Sequence, residues 1–497
     1  MSFGGRGRGG RTNPSWTNSV PRPWNRSRGR GFAPRAGRGG SSRAYSRYPQ
    51  SAPDIIKNPL GQLITIINNA ELSLEAGSRT DALTINGCKY IASYNWMNTK
   101  TPTILIPGRP PRWTPLKVPQ RLEEDKKDVV YYRDPNAARF PSHPTEPAVE
   151  ALLKTDPEFH TSVIDIFACG STLGNLLRFV RSLDKSFRFD VEVIGNTVFF
   201  VRKENTPTEE IEGIHGYGHS FPEAYTSWEK DVKGSETHQR LVQYEFGGFK
   251  CVVRFECDGY LPDSAENTSA KHPESKAALD ADDIAKAFEA ASVDHALPVA
   301  GDSLAIKESG SEVPQHSIFD LKTRSGRFKR QIDMGDVLPV LWLKQIPNFI
   351  IAYHDGEGLF ENINVRDVQA DIDSWEHNNQ DALHRLVVLL RKITQLAKSS
   401  ESGRIEVYSP GVDRLEIHKQ YGSGSTTISS PLKAAWERNS SSLVESDNED
   451  EDDDQNGVLL EQVYDRFSDT SYVSDDDNKD YTACSADSCG LCGKCSY

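Results

Sequence analysis

The sequence predicts an α+β fold, a mixed sheet with flanking helices, carried between two disordered tails. Three observations lead there. The hydrophobic share, 37% of 497 residues, is low for a globular chain of this length. The deficit sits at the ends: residues 1–52 are Gly, Arg, Ser and Pro with scattered aromatics, and residues 421–497 carry the acidic runs SDNEDEDDDQ and SDDDNKD. Between them, residues 53–420 alternate segments of two-residue apolar period with segments of helical period. Neither end holds enough apolar surface to offset the entropy of ordering a chain.

The net charge is −13, yet the first 50 residues hold eleven Arg and no Lys or acid, which leaves about −24 for the rest. Guanidinium groups pair with phosphates and stack on bases, and Trp16, Trp24, Tyr45 and Tyr48 can stack beside them. The functional reading of this Arg/Gly-rich (RGG-like) tail is RNA contact, salt-sensitive and without sequence preference. The plainer reading is a solubilising segment. The acidic tail is by default a solvated run, and it could dock a basic partner. No apolar run follows the first basic residues, so no signal peptide is expected, and no stretch of 18 apolar residues suggests a membrane span. Cys88, Cys169, Cys251 and Cys257 are scattered through apolar segments, as reduced core thiols of an intracellular protein are. A nuclear or cytoplasmic location is expected. No oligomeric state is implied.

Each element has its own signal. Residues 88–107 (CKYIASYNWMNTKTPTILIP) read as two strands about a short turn, ended by the Pro-rich 108–120. Residues 146–156 (EPAVEALLKTD) form a short amphipathic helix, and 171–183 (STLGNLLRFVRSL) a stronger one with Ser171 or Thr172 as N-cap. Strands follow over 188–202, turning near Gly195-Asn196, and over 249–256 (FKCVVRFE). Residues 263–315, rich in Ala, Ser, Asp, Glu and Lys, read as a disordered insertion with one short helix at 280–291. Order resumes with a strand ending in DLKTRS. Residues 337–353 (VLPVLWLKQIPNFIIAY) are a buried run that Pro347 keeps from being one helix. Residues 380–398 make the clearest helix, with an apolar stripe and a basic end, and a last strand pair covers 404–418, turning at Pro410-Gly411.

Four short pieces carry the chemistry. They are GYGHSFPEAYT with Glu223, VVRFECDGYL with Glu256 and Asp258, SIFDLKTRS with Asp320 and Lys322, and LWLKQIPNF with Lys344 and Gln345. Residues two apart on a strand share a face, so Glu256 and Asp258 are expected together at the end of one strand, and Asp320 and Lys322 on the next. Carboxylates so crowded repel unless a cation lies between them. Mg²⁺ and Mn²⁺ favour oxygen ligands, and two such ions can activate a water and stabilise the leaving oxygen of a phosphate ester. Lys322 would orient that water or offset charge on the phosphorus oxygens. Taken singly, E-x-D or D-x-K is more often a solvated strand face or a surface ion pair worth little. The apolar flanks, the shared strand-end position and the order of the pieces favour a site.

In that order the set resembles the decapping exoribonuclease family of eukaryotes (the DXO-like group), a branch of the PD-(D/E)xK nuclease fold, as a divergent fungal-type member. G-H-S-F-P-E stands where the family has G-Y-K-F-E, with Glu223 as the acid, and F-E-C-D matches its E-x-D strand. D-L-K-T stands for E-L-K-T, with Asp320 replacing Glu, and L-K-Q-I-P-N-F-I-I-A resembles its apolar segment with a Gln, here Gln345. The strand I-A-S-Y-N-W and the helix S-T-L-G-N-L-L-R-F also look alike, so the resemblance spans roughly residues 85–420. The chain departs where the family has an Arg opening that helix. Gly170-Ser171 stand there, and Arg178 or Arg181 is expected to supply the phosphate contact. Pro222 intrudes before Glu223, and the insertion is additional.

The resemblance implies an RNA substrate with an unusual 5′ end, in mRNA quality control. The family's reactions are removal of incomplete guanosine caps or NAD caps, pyrophosphate release from a 5′ triphosphate, and 5′→3′ digestion. It implies Glu223, Glu256, Asp258 and Asp320 as ligands of Mg²⁺ or Mn²⁺, Lys322 serving the nucleophilic water and Gln345 orienting the site. The competing reading is a non-catalytic RNA-binding scaffold, or an adaptor with an exoribonuclease as partner. Such a protein has no reason to crowd four acids beside RNA.

Weaker signals remain. Cys484, Cys489, Cys492 and Cys495 could close around Zn²⁺ or, by their spacing, an iron–sulfur cluster; an unstructured redox-sensitive tail is the commoner outcome. His215 and His219 are four apart, but Gly216 and Gly218 oppose the helix that would bring them together. His354, after an apolar run, reads as a packing histidine. The acidic clusters around Asp447, Asp450 and Asp452 lie in low-complexity sequence without long helices, which excludes an all-α prenyl diphosphate synthase.

Overall fold

Apolar runs without polar alternation mark strands buried on both faces, and such strands form the centre of this fold. A computed structural model describes residues 52–73, 82–126, 129–211, 214, 216–262, 303–326, 332–422 and 426–441. Its strands are β1 (Leu63–Asn68), β2 (Asn86–Met97), β3 (Thr103–Gly108), β4 (Arg112–Trp113), β5 (Ile166–Cys169), β6 (Phe187–Ile194), β7 (Thr197–Arg202), β8 (Thr226–Ser227), β9 (Ser235–Phe246), β10 (Phe249–Cys257), β11 (Gly259–Tyr260), β12 (Ala305–Gly310), β13 (Ile318–Ser325), β14 (Asn348–His354), β15 (Phe360–Asp367), β16 (Arg404–Gly411) and β17 (Arg414–Lys419). Its helices are α1 (Pro135–Arg139), α2 (Glu146–Thr155), α3 (Gly170–Val180), α4 (Ser220–Tyr225), α5 (Met334–Lys344), α6 (Gln369–Asn378), α7 (Gln380–Ser399) and α8 (Ser430–Ser441).

Eleven strands form one sheet, in the order β1-β17-β16-β6-β7-β5-β10-β9-β2-β3-β12. Six form a second, β15-β14-β13-β11-β4-β8. Both are mixed: β5 runs parallel to β7 and β10, and β13 parallel to β14, among antiparallel neighbours. Alternation on the central strands divides two cores. Ile166 and Ala168 of β5 face the cluster that includes α3, α5 and α7, while Phe167 faces the one that includes α2 and α8. Val198 and Phe200 of β7 likewise oppose Phe199 and Val201. Leu383, Leu386, Leu390 and Ile393 make the buried stripe of α7. The second sheet has an aromatic core of Trp113, Phe221, Tyr225, Phe319 and Phe360.

The expected hairpins appear as β2–β3, β6–β7 and β16–β17, and the expected helices as α2, α3 and α7. Three readings are corrected: the cap of α3, the end of the insertion and the end of the fold. Helix α3 opens after Cys169, which makes no side-chain cap, and the Ser171 and Thr172 hydroxyls lie instead against Cys169 Sγ at 3.1 and 3.0 Å. The insertion ends earlier than 315, because β12 adds in parallel to β3. The strand β9 and the helix α6 were not anticipated; polar residues interrupt their patterns.

Nor does the fold stop at 420. In α8, Trp436 is fully buried edge-on to Phe167 and Phe199, at 6.0 and 5.2 Å between ring centroids. Its indole N–H donates to Thr197 Oγ1 (3.2 Å). The Arg-rich tail, the helix expected at 280–291, the acidic runs and Cys484, Cys489, Cys492 and Cys495 lie outside the described residues. Among the described residues, no helix is long and apolar enough to cross a membrane, and Cys88, Cys169, Cys251 and Cys257 are free thiols.

Removing the Trp436 side chain leaves a cavity between α8 and the sheet. Trp436→Ala should therefore cost about 3–5 kcal/mol of unfolding free energy in a urea titration. A cost below about 1 kcal/mol would show that α8 is a dispensable appendage.

Candidate active site

Asp258 lies where the chain leaves one sheet for the other. It follows β10, the last strand of this segment in the large sheet, and precedes β11 in the small one. Gly259 makes the crossing possible, since a Cβ there would come within 2.4 Å of the Phe319 ring and 2.7 Å of the Pro111 carbonyl. The β11–β13 ladder pairs Gly259 with Phe319, so Asp258 comes opposite Asp320. The two carboxyls hydrogen-bond to each other, and Asp258 Oδ2 also accepts from the Leu321 amide (2.7 Å).

Asp320 is buried, and Lys344 Nζ donates to its Oδ2 at 3.0 Å. Burial, and then the Asp320 charge, push the Asp258 carboxyl up to about 8; Lys344 and the Leu321 amide oppose the shift. Lys322 is buried two residues beyond Asp320 on the same strand face.

The other expected members do not complete a cluster with the pair. Glu256 was to share a face with Asp258, and the chain changes sheet between the two. Glu256 stays in the large sheet opposite Gln239, whose amide donates to it at 3.3 Å, and near the Arg139 guanidinium. Glu223 is exposed on α4, because Phe221 and Tyr225 take the buried side of that short helix and stack at 4.2 Å. Among the described residues, no group of three or more His, Cys, Asp or Glu could hold a metal ion. The expected four-carboxylate set is therefore not assembled; the acid pair is.

Gln345 does not orient the site. It caps α5 in the left-handed conformation (φ 52°), and its side-chain amide donates to the Trp342 carbonyl at 2.6 Å. Lys344, one residue earlier, points inward in its stead. Nothing in local periodicity distinguishes the two; the signal available was that a lysine ending a wholly apolar helix turn must find an acid.

Arg178 and Arg181 sit at the far end of α3 from Gly170. Arg178 is buried and donates to the Asp184 carbonyl at 3.4 Å, while Arg181 covers the Trp375 ring at 5.9 Å. His219 stacks on Tyr131 with ring centroids 3.7 Å apart, and His215 lies outside the described residues. His354 packs edge-on to Tyr217 as a buried histidine.

A cavity of about 670 Å³ opens beside the acid pair's strand, lined among others by Ile351, Tyr353, Asn362, Asn364 and Arg366. Ile351 is the register partner of Lys322, and Asn364 of Ile351, so the cavity lies on the sheet face that bears Asp320 and Lys322.

The chain belongs to the family defined by a domain of unknown function, DUF8563, whose model matches residues 65–425. No curated protein sequence matches it. Among solved structures it is similar to S. pombe Rai1, at 11% identity over 71% of this chain and 99% of that one, with a TM-score of 0.45. It is similar to Scheffersomyces stipitis Rai1 in complex with (3′-NADP)⁺ and calcium, at 12% identity over 73% and 99%, with a TM-score of 0.44. It is also similar to K. lactis Dxo1 in complex with manganese, at 9% identity over 72% and 99%, with a TM-score of 0.41.

The raised Asp258 pKa has a stability consequence. Unfolded, the carboxyl ionises near 3.8; folded, it keeps its proton to about 8. Between those values the folded chain binds more protons, so stability falls as pH rises through the window and levels off above it. In Asp258→Asn the amide keeps the acceptor for Leu321 and cannot ionise. Its melting temperature should match wild type near pH 4 and exceed it by several degrees near pH 8. A difference independent of pH would contradict this account.

Proposed function

We propose that this chain is a divalent-metal-dependent hydrolase acting on the 5′ ends of RNA. The observation that supports this reading is the pairing of Asp258 with Asp320 across the β11–β13 ladder, with Lys322 two residues along. Two carboxyls at one point are the oxygen donors that Mg²⁺ or Mn²⁺ takes, and the mutual repulsion that raises Asp258 is what such an ion relieves. The pair suits one ion. When bound, the metal would polarise a phosphate oxygen and a water. Asp258 and Asp320 would hold it, and the Lys322 ammonium would offset charge on the phosphorus oxygens.

The cavity on the same face offers the Tyr353 ring for a base and the Arg366 guanidinium for a phosphate. The Arg-rich first 52 residues add sequence-independent affinity. The second reading, a scaffold that binds RNA without cutting it, is favoured by one observation: Asp320 already has a cation, Lys344.

Short RNAs with 5′ monophosphate, triphosphate, unmethylated-cap and NAD ends, incubated with millimolar Mn²⁺, separate the two. Metal-dependent product release, reduced at least about a hundredfold in Asp258→Ala/Asp320→Ala, is expected. RNA that is bound yet intact in every reaction would favour the scaffold. Deleting residues 1–52 should weaken binding of all these RNAs alike and flatten its salt dependence, as read by fluorescence anisotropy.

A further inference from the structure

Lys344 is among the most deeply buried charges in the described structure. Its side chain is 1% exposed and its partner Asp320's is 4% exposed. It ends α5, whose residues 337–344 are all buried, so its stem has no route to water along the helix. The ammonium lies 5.9 Å from the centre of the Phe255 ring, and its charge also bears on Asp258.

The helix end that carries it is clamped. Gln315 donates its amide to the carbonyls of Lys344 (3.2 Å) and Gln345 (2.9 Å) and accepts from Arg240 Nε (2.6 Å). Arg240 in turn lies over the Tyr90 ring at 4.3 Å. The Gln345 cap closes the turn beyond. Lys344 is therefore aimed at the acid pair by three separate restraints.

We infer that the Lys344 ammonium is the resident cation of the Asp258–Asp320 pair, and that a divalent ion binds there only by displacing it. The inference rests on reading the pair as a cation site. Displacement would part a buried ammonium from the Asp320 carboxylate it is bonded to, which is unfavourable. The wild-type site is accordingly weak for metal, and residue 344 sets its affinity. An ordinary structural ion pair also predicts instability when Lys344 is replaced. Only competition predicts that the replacement creates metal affinity.

The test is a calorimetric titration of the full chain with Mn²⁺ alone, without RNA, beside thermal melts in Mn²⁺ and in chelator. Lys344→Gln, which can still donate to Asp320, and Lys344→Met are compared with wild type. Both variants should bind one Mn²⁺ at least about tenfold more tightly than wild type, and Mn²⁺ should raise their melting temperatures while leaving the wild type's unmoved. Adding Asp320→Asn to Lys344→Gln should abolish the gain.

Equal affinity in all three proteins, or no binding in any, overturns the inference. So does a wild-type melting temperature that Mn²⁺ raises and Asp320→Asn makes indifferent, a measurement that needs no folded Lys344 variant. Variants that gain Mn²⁺ while every RNA stays intact would sustain the inference and defeat the hydrolase reading. A wild type that cuts RNA with tightly bound metal would do the reverse.

Discussion

The hydrogen-bonded carboxyls of Asp258 and Asp320 join the two sheets, and the surrounding structure depends on how their charge is balanced. Asp258 is the single residue between β10 of the large sheet and β11 of the small one. Its carboxyl binds the Leu321 amide, on the strand it faces, and shares a hydrogen bond with the acid beside it. The seam is thus made by polar groups, not by packing alone. Two anions in such a place are costly unless a proton or a cation is shared. The fold supplies both, a proton on the pair and the ammonium of Lys344.

That arrangement explains the course of the chain around it. Helix α5 has to end where its last residue meets Asp320, and it ends with a left-handed Gln345 whose side chain folds back on the helix. A non-glycine residue in that conformation costs of order 1 kcal/mol, which the Ile346 amide bond to Leu341 (3.0 Å) and the Gln315 contacts offset. Strand β14 then starts at Asn348 and runs parallel to β13, which sets Phe349 beside Asp320 and Ile351 beside Lys322. The floor of the cavity is laid down by the same register that buries the acid. Site and scaffold share one set of contacts here.

Under the proposed function, the chain separates two kinds of RNA contact by physical type. The Arg-rich first 52 residues suit long-range, screened attraction to phosphates. The acid pair and the cavity lie in the folded core, where charge is balanced group by group at hydrogen-bond range. Affinity and chemistry would then respond differently to salt, because only the first depends on exposed charge.

What the sequence determined is whatever one element encodes by itself. The paired strands 88–107 and 188–202, the stripe of 380–398 and the shared face of Asp320 and Lys322 are periodic within a segment, and the structure keeps them. The approach of Asp258 to Asp320 also followed from strand ends and their order. Tertiary structure decided the rest. Glu256 meets Gln239 in the large sheet and Asp258 meets Asp320 in the small one because the chain changes sheets between them, which a two-residue period does not reveal. Glu223 turned outward because Phe221 and Tyr225 claimed the apolar side of α4. Trp436 carried the fold past residue 420 through one buried ring in a polar helix. Lys344, not Gln345, reached the acid because the direction of a side chain at a helix end is set by where the last turn closes. Periodicity reports which face of an element is apolar; which polar group meets which across elements is decided only when they pack.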